Sequence, residues 1–394
     1  MKFPLNYYDM LLKARPEIVV NAESDGEDLR HNRHAGPIAV FEDETAPRMM
    51  PTLQKYADVI FRNIAKSSGM TVEQVKSLGG GNPEMVRYFE SHMDTVGREY
   101  HSLVNFTLAG KKVFNFYDGL VQQLANTEMN VAAPYLRLPH SSCMFVLTSR
   151  EAIEAMYSIT REQDHLSEAQ YSAPITVFAS IFEPEQQTVF RRLTFVVYHA
   201  DESAVYYETK RSMALIDEWN LEQALHTDWE KIDEDRGSNF VANAPDLADG
   251  DTVPDEVFYQ DGLLFFRILI NAILYISSMH AETREVASPH EGLDEKLKNT
   301  KSSLERRDIY REAQKSSRLP YILVGEGVTE VQSEDVANLG DSFRKKLSVR
   351  FIVRGHWRKQ PYGTGRTERR LQFIQPYLKG PEMADLVNKP YLVR

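Results

Sequence analysis

The sequence is nearly free of cysteine: Cys143 is the single thiol among 394 residues. One thiol cannot form an intramolecular disulfide or a metal cage built of thiolates, so the chain is neither a disulfide scaffold nor a cysteine-based zinc module. Such a composition is typical of a reducing compartment. The first residues contain no apolar stretch of signal-peptide length, and we therefore expect a cytoplasmic protein.

Long apolar runs without charges are also scarce. The strongest run, residues 262–279, has about the minimum length of a membrane span, but it contains Arg267 and Asn271 and follows Asp261. A charge near the centre of a bilayer costs roughly 2.5–3.5 kcal/mol. We therefore predict a buried core helix here and no membrane partner.

The common catalytic motifs are missing as well. The sequence contains no HExxH, no cysteine and histidine zinc spacing, no Walker lysine, no GxSxG and no dinucleotide-binding glycine pattern. His140 precedes Ser141, Ser142 and Cys143, which could form a weak nucleophile pair, but a thiol in an apolar strand is commonly a buried core group. The acidic turn at 246–256 lacks the EF-hand spacing. We expect no metal and no cofactor.

The hydrophobic pattern predicts an α+β fold. Helical periodicity dominates up to residue 130, whereas segments rich in Val, Phe, Tyr and Thr follow at 175–182, 193–198 and 204–209, separated by turn residues. The segment 193–198 alternates poorly, which indicates a central strand buried on both faces. We predict a helical N-terminal region followed by a mixed, largely antiparallel sheet with long helical insertions.

This pattern also suggests how the chain is divided. We predict a helical region at 1–130 and an α+β region at 131–394, which ends in a basic C-terminal hairpin at 343–394. No internal repeat and no low-complexity run interrupts these regions.

Charge is distributed unevenly along the chain. The net charge is −11, yet residues 343–394 contain 13 Lys and Arg against 3 Asp and Glu. Residues 217–256 are the opposite, with 13 acidic residues against Lys231 and Arg236. Such asymmetry predicts a nucleic acid or an acidic protein surface as the partner of the basic end. The alternative is that the basic end docks on the acidic stretch of its own chain.

Within the basic end, residues 350–381 have the clearest pattern. On a strand, Arg354, His356 and Arg358 point to one side and Val353, Gly355 and Trp357 to the other. Guanidinium groups match phosphate oxygens, and aromatic rings interleaved with them can stack on bases. The predicted nucleic-acid-binding residues share this cationic or aromatic character: Arg354, His356, Trp357, Arg358, Arg366, Arg369 and Arg370.

The same segment resembles a known signature. The run Arg354-Gly355-His356-Trp357-Arg358, followed by a glycine-basic turn and then by Pro376, Lys379 and Gly380, is similar to the C-terminal signature of an uncharacterised family of bacterial and phage proteins. The upstream residues 272–278 are similar too, whereas Phe373 stands where that family often has a tryptophan. The resemblance implies a bacterial or phage setting and no particular activity.

Three functions are compatible with these observations. The leading hypothesis is a nucleic-acid-binding protein, with the choice between DNA and RNA open. An alternative is a nucleic-acid-directed enzyme, such as a toxin or defence ribonuclease, in which His356 would be the catalytic acid or base, because the pKa of histidine lies near neutral pH. A further alternative is a phage structural or assembly protein.

Overall fold

The fold is seen in a computed structural model. The residues that the structure describes are 5–32, 36–37, 58, 61–62, 64–66, 69–79, 83–157, 166–183, 190–226, 255–278, 281–288, 290–300, 302–314, 317–328 and 351–379.

A seven-stranded mixed sheet forms the centre of the fold, with strand order β5-β4-β3-β2-β1-β7-β6. Strand β1 pairs in parallel with β2 and with β7, and the other neighbouring pairs are antiparallel. The strands are β1 (Val113–Phe116), β2 (Ser142–Leu147), β3 (Ile175–Phe182), β4 (Arg191–Ala200), β5 (Val205–Leu215), β6 (Thr283–Val286) and β7 (Tyr321–Val324).

Two further antiparallel pairs lie near the C-terminus. They consist of β8 (Phe351–Val353) with β11 (Tyr377–Lys379), and of β9 (His356–Tyr362) with β10 (Glu368–Ile374).

Helices surround the sheet. They are α1 (Tyr7–Ala14), α2 (Pro16–His31), α3 (Val72–Gly79), α4 (Pro83–Leu108), α5 (Asp118–Ala125), α6 (Arg150–Tyr157), α7 (Glu168–Ser172), α8 (Asp255–Ile276), α9 (Leu293–Asn299) and α10 (Ser303–Gln314). Helices α1, α2 and α4 share one apolar core with one face of the sheet, and α5, α6 and α8 share a second core with the other face.

Strand β4 shows why the two cores exist. Residues 193–200 are all buried, and successive side chains point to opposite faces of the sheet. Phe195 and Val197 enter the core under α8, whereas Val196 and Tyr198 enter the core under α1 and α4. The prediction of a central strand buried on both faces is confirmed.

Helix α8 is the long apolar segment of the sequence, and it is a core helix. Arg267 and Asn271, the polar residues of the apolar run, both have partners within the protein: Arg267 forms an ion pair with Glu222, and the fully buried Asn271 is hydrogen-bonded through both ends of its amide. Among the described residues, no helix is long and apolar enough to cross a membrane.

The α+β prediction is confirmed, with one element misplaced. Residues 113–116 lie in the part of the chain predicted to be helical, but they form β1, the strand at the junction of the parallel pairs. Four residues are too few to show a periodicity, and the partners that stabilise β1 are distant in sequence. The predicted domain boundary at residue 130 stays a prediction.

Candidate nucleic-acid interface

The C-terminal hairpin consists of β9 and β10, residues 356–374. The register pairs Trp357 with Phe373 and Lys359 with Leu371 on one face. Residues directly opposite each other in an antiparallel pair point to the same side, so the other face contains the alternate pairs. This solvent-facing face consists of His356, Arg358, Gln360, Tyr362, Glu368, Arg370, Gln372 and Ile374.

The opposite face of the hairpin packs on the body of the protein. Trp357 and Leu371 are each 8% exposed and belong to the core that contains α8. The ring of Phe373 contacts Trp357 at a centroid distance of 5.0 Å and meets Tyr275 of α8 edge to face at 5.6 Å. These aromatic contacts attach the half of the hairpin that is farther from its turn to the body of the protein.

A buried hydrogen-bond network fixes the position of the hairpin. The indole Nε1 of Trp357 donates to Oδ1 of Asn271 at 2.9 Å. Nδ2 of the same amide donates to the carbonyl oxygens of Leu124 and Thr127, both at 3.0 Å. One buried asparagine thus joins the end of α5, helix α8 and the hairpin.

Gly355 clamps the chain just before β9. Its N–H donates to the carbonyl oxygen of Asn126, and its own carbonyl accepts from the N–H of Glu128, both at 2.9 Å. A Cβ at this position would lie 2.6 Å from Oγ1 of Thr127 and 2.9 Å from Cδ of Pro376. Only glycine therefore allows the hairpin to approach the body this closely.

The tip of the hairpin is a turn with left-handed backbone. Gly363 and Gly365 have φ of 78° and 73°, and Arg366 has φ of 56°. The Arg369 guanidinium donates to the carbonyl oxygen of Arg366 at 2.8 Å. The tip thus presents two exposed arginines on a backbone that the glycines make possible.

The solvent-facing face presents two guanidiniums that neighbouring side chains orient. Arg358 donates to Oε1 of Gln372, its direct cross-strand partner, at 2.7 Å. The guanidinium carbon of Arg370 lies 3.9 Å from the centroid of the Tyr362 ring. Both contacts leave N–H groups of the guanidinium in solvent, where they can donate to a ligand.

The charge of the hairpin is largely uncompensated. The four arginines of residues 356–374 are all exposed, and none forms an ion pair with a carboxylate within the described part of the chain. Lys359 lies on the body side and places its ammonium 4.6 Å from the centroid of the Tyr135 ring. Uncompensated guanidiniums on a fixed scaffold suit a polyanionic ligand.

The structure brings most of the predicted residues together and separates one from them. Arg358, Arg370 and His356 lie on the solvent-facing face. Arg366 and Arg369 lie at the tip, and Arg354 is exposed just before Gly355. Trp357 is the exception, because its indole is buried and hydrogen-bonded to Asn271. We therefore correct its predicted role: Trp357 positions the hairpin and cannot stack on a base.

His356 has no partner that would prepare it for catalysis. It is exposed opposite Ile374, and no described residue donates a hydrogen bond to its ring or accepts one from it. A general acid or base acts from a defined position, which a second group usually fixes. Nothing in the described residues supports the catalytic role, and His356 stays a predicted contact residue.

Sequence reasoning missed the two glutamines of the solvent-facing face. Gln372 holds the Arg358 guanidinium, and Gln360 is the cross-strand partner of Arg370. The signal that could have found them is the hairpin register, which follows once the glycine turn is placed between two strands.

The other candidate sites contain structural groups. Cys143 is fully buried in β2, and burial raises the pKa of its thiol to about 12, so the reactive thiolate is not formed at neutral pH. Ser142 is also fully buried, and its hydroxyl accepts a hydrogen bond from the Ser180 hydroxyl at 2.9 Å inside the sheet. No group of three or more potential metal ligands occurs among the described residues, and positions 246–254 of the acidic turn at 246–256 lie outside them.

The predicted intramolecular alternative also lies largely outside the described residues. Positions 227–254 contain most of the acidic stretch, and the structure does not describe them.

Comparison with known proteins adds an independent finding. Residues 114–380 match the AcrVA2-like family, described as the anti-CRISPR type V subtype A2 family. The match covers the central sheet from β1 onward and all of the C-terminal hairpin, and it leaves out helices α1 to α4. No curated protein and no solved structure matches this chain. Because the match covers more than half of the sequence, the chain belongs to the AcrVA2-like anti-CRISPR family.

Proposed function

We propose that this protein inhibits a type V CRISPR system and that the C-terminal hairpin contacts nucleic acid when it does so. Membership of the anti-CRISPR type V family supports the first part. The second part rests on one observation: four exposed arginines of the hairpin lack an ion pair with any described carboxylate.

The way in which the hairpin is attached to the body of the protein supports a binding role. Trp357 and Gly355 attach it to the body through buried contacts, so the orientation of the solvent-facing face is set before a ligand arrives. Pre-organised donors lose less conformational entropy on binding than mobile ones. A basic tail without structure would not need this anchoring.

The chemistry of the proposed target fits the same ligand class. RNA-guided effectors hold a guide RNA and a target strand in a positively charged channel and recognise them through the phosphate backbone. A basic surface on an inhibitor can compete for those phosphates. Affinity of this kind comes mainly from phosphate neutralisation and therefore weakens as salt rises.

An interference assay tests the proposal. Bacteria with an active type V system would be challenged with a targeted plasmid while they express the wild-type protein or a variant with Arg358→Ala, Arg369→Ala and Arg370→Ala. We expect the wild-type protein to restore plasmid survival and the triple variant to lose most of that effect.

The matched control is the double variant Arg307→Ala with Arg311→Ala on α10, which removes exposed charge from a different element. This control should keep full inhibition. Full inhibition by a folded triple variant would remove the hairpin from the mechanism, and no inhibition by the wild-type protein would overturn the proposed activity on the system tested.

A further inference from the structure

One contact on the hairpin has the geometry of a base-stacking platform. The Arg370 guanidinium lies over the Tyr362 ring, with 3.9 Å between the guanidinium carbon and the ring centroid. Both side chains belong to the solvent-facing face, and Arg370 is exposed whereas Tyr362 is half-buried. The tyrosine thus supports the guanidinium from below, and solvent covers it from above.

A guanidinium held in this way has one planar surface left to offer. It is a delocalised, weakly hydrated plane that stacks on aromatic systems, and the tyrosine beneath it restricts the rotamers that would tilt it. Proteins that read unpaired nucleotides place bases on aromatic side chains and on arginine planes in this manner. The N–H groups at the rim of the same guanidinium remain able to reach a phosphate.

The neighbours of the platform suit a strand that continues past it. Gln360 is the cross-strand partner of Arg370. Arg358 is the next residue on the same face of β9, about 7 Å from Gln360 along the strand and farther from the turn. Its guanidinium is held by Gln372. A nucleotide stacked on Arg370 would therefore have a second oriented cation within reach of the next phosphate.

The packing of the hairpin argues against a duplex ligand. A free two-stranded ribbon can enter the major groove of B-form DNA, which is about 12 Å wide. Here Trp357, Leu371 and Phe373 fasten one face of the ribbon to the body, so the ribbon cannot insert along its length. Bases inside a duplex are already stacked on their neighbours and offer no free surface to Arg370.

We propose that Arg370 on Tyr362 forms a stacking platform for an unpaired base, and that the ligand of the hairpin is single-stranded nucleic acid. This inference rests on the proposed function, because it specifies the class of nucleic acid that the same face binds.

The test measures the affinity of the full-length protein for a mixed-sequence single strand, as DNA and as RNA, and for the same strand annealed to its complement. Three variants are compared with the wild-type protein at one salt concentration. Arg370→Lys keeps the charge and removes the plane, Tyr362→Phe keeps the supporting ring, and Arg307→Lys is the matched control, since Arg307 is exposed on α10, outside the hairpin.

We expect the single strand to bind at least about tenfold more tightly than the duplex. Arg370→Lys should weaken single-strand binding about tenfold, within the range measured for the loss of one stacked base. The salt dependence of this variant should be unchanged because the charge is kept. Tyr362→Phe and Arg307→Lys should stay within about twofold of the wild-type protein.

Different outcomes separate the two proposals. Duplex binding as tight as single-strand binding, or equal effects of Arg370→Lys and Arg307→Lys, would overturn the platform and leave nucleic-acid binding in place. No salt-sensitive binding to any of these probes would overturn nucleic-acid binding by the hairpin and the platform with it.

Discussion

The indole Nε1 of Trp357 donates a hydrogen bond to Oδ1 of Asn271 at 2.9 Å, across 86 positions of sequence. This contact joins the most basic part of the chain to its most apolar helix. It explains two features of the sequence together, because it places a polar residue inside a core helix and an aromatic residue among arginines.

Replacing Asn271 by Ala should destabilise the protein strongly. The change leaves the Trp357 N–H and the carbonyl oxygen of Thr127 without their partner inside the core, whereas the carbonyl oxygen of Leu124 keeps the N–H of Thr127. Each unsatisfied buried group costs about 1–3 kcal/mol, so we expect a loss of about 2 kcal/mol or more in urea unfolding.

Asn299→Ala, at the exposed end of α9, is the matched control and should stay within about 0.5 kcal/mol of the wild-type protein. Trp357→Phe keeps the aromatic packing and removes one donor, so its loss should lie between those of the two alanine variants. Equal stability of Asn271→Ala and Asn299→Ala would contradict the anchoring role of the amide.

Two helical glycines should respond in opposite directions to the same substitution. A Cβ on Gly26 of α2 would lie 2.7 Å from Cβ of Thr107 and 2.8 Å from the carbonyl oxygen of Val104, whereas a Cβ on Gly97 of α4 would meet nothing within 4 Å. Gly26→Ala should therefore destabilise by about 1–3 kcal/mol through overpacking. Gly97→Ala should stabilise by up to about 1 kcal/mol through helix propensity. Thermal unfolding of both variants measures this, and losses of the same size would contradict close packing of α2 on α4.

His199 should make stability depend on pH. The imidazole ring of His199 is fully buried. Its Nε2 lies 3.0 Å from the carbonyl oxygen of Gln170, so Nε2 carries the proton and donates it to that oxygen. Nδ1 therefore accepts a hydrogen bond from the Tyr157 hydroxyl at 2.7 Å. Burial lowers the pKa of His199, outweighing the hydrogen bonds and the nearby Asp201 carboxylate, which raise it.

The unfolded chain therefore takes up a proton near pH 6.5 that the folded protein binds only at lower pH. Stability should fall as the pH drops below about 6.5 and stop falling below the pKa of the folded state. Unfolding measured from about pH 7.5 to pH 5 would show the wild-type protein losing stability faster than His199→Gln. The exposed Asn299→Ala control, which removes no titratable group, should follow the wild-type curve, and parallel curves for all three proteins would contradict the assignment.

Alternation predicts which residues of β9 share a face. His356 and Arg358 lie on the opposite side of the strand from Trp357 because a strand has a period of two, whereas Arg354 precedes the strand. The pattern could not show that the Trp357 side is buried, because this burial depends on contact with Asn271 of α8, which is distant in sequence. Aromatic interleaving predicts a stacking surface, but it does not distinguish the buried Trp357 from the half-buried Tyr362.

The sheet shows the same limit. A run of Val, Phe and Tyr predicts strand β4, and the run is long enough to indicate burial on both faces. Strand β1 has four residues, and its neighbours β2 and β7 come from residues 142–147 and 321–324. Parallel pairing over such separations leaves no local signal, so the core of the sheet could be predicted only in part.

The most direct test of the central claim is the affinity of the purified protein for single- and double-stranded DNA and RNA at about 50 mM and about 200 mM salt. We predict binding that weakens as salt rises, and we predict that Arg354→Ala with Arg358→Ala lowers the affinity more than tenfold at low salt. The salt slope of that variant should fall by about 1.4–1.8, as the loss of two phosphate contacts requires. A denaturing gel of the recovered nucleic acid should show intact strands. Unchanged affinity in a folded double variant, or no salt-sensitive binding by the wild-type protein, would contradict the account.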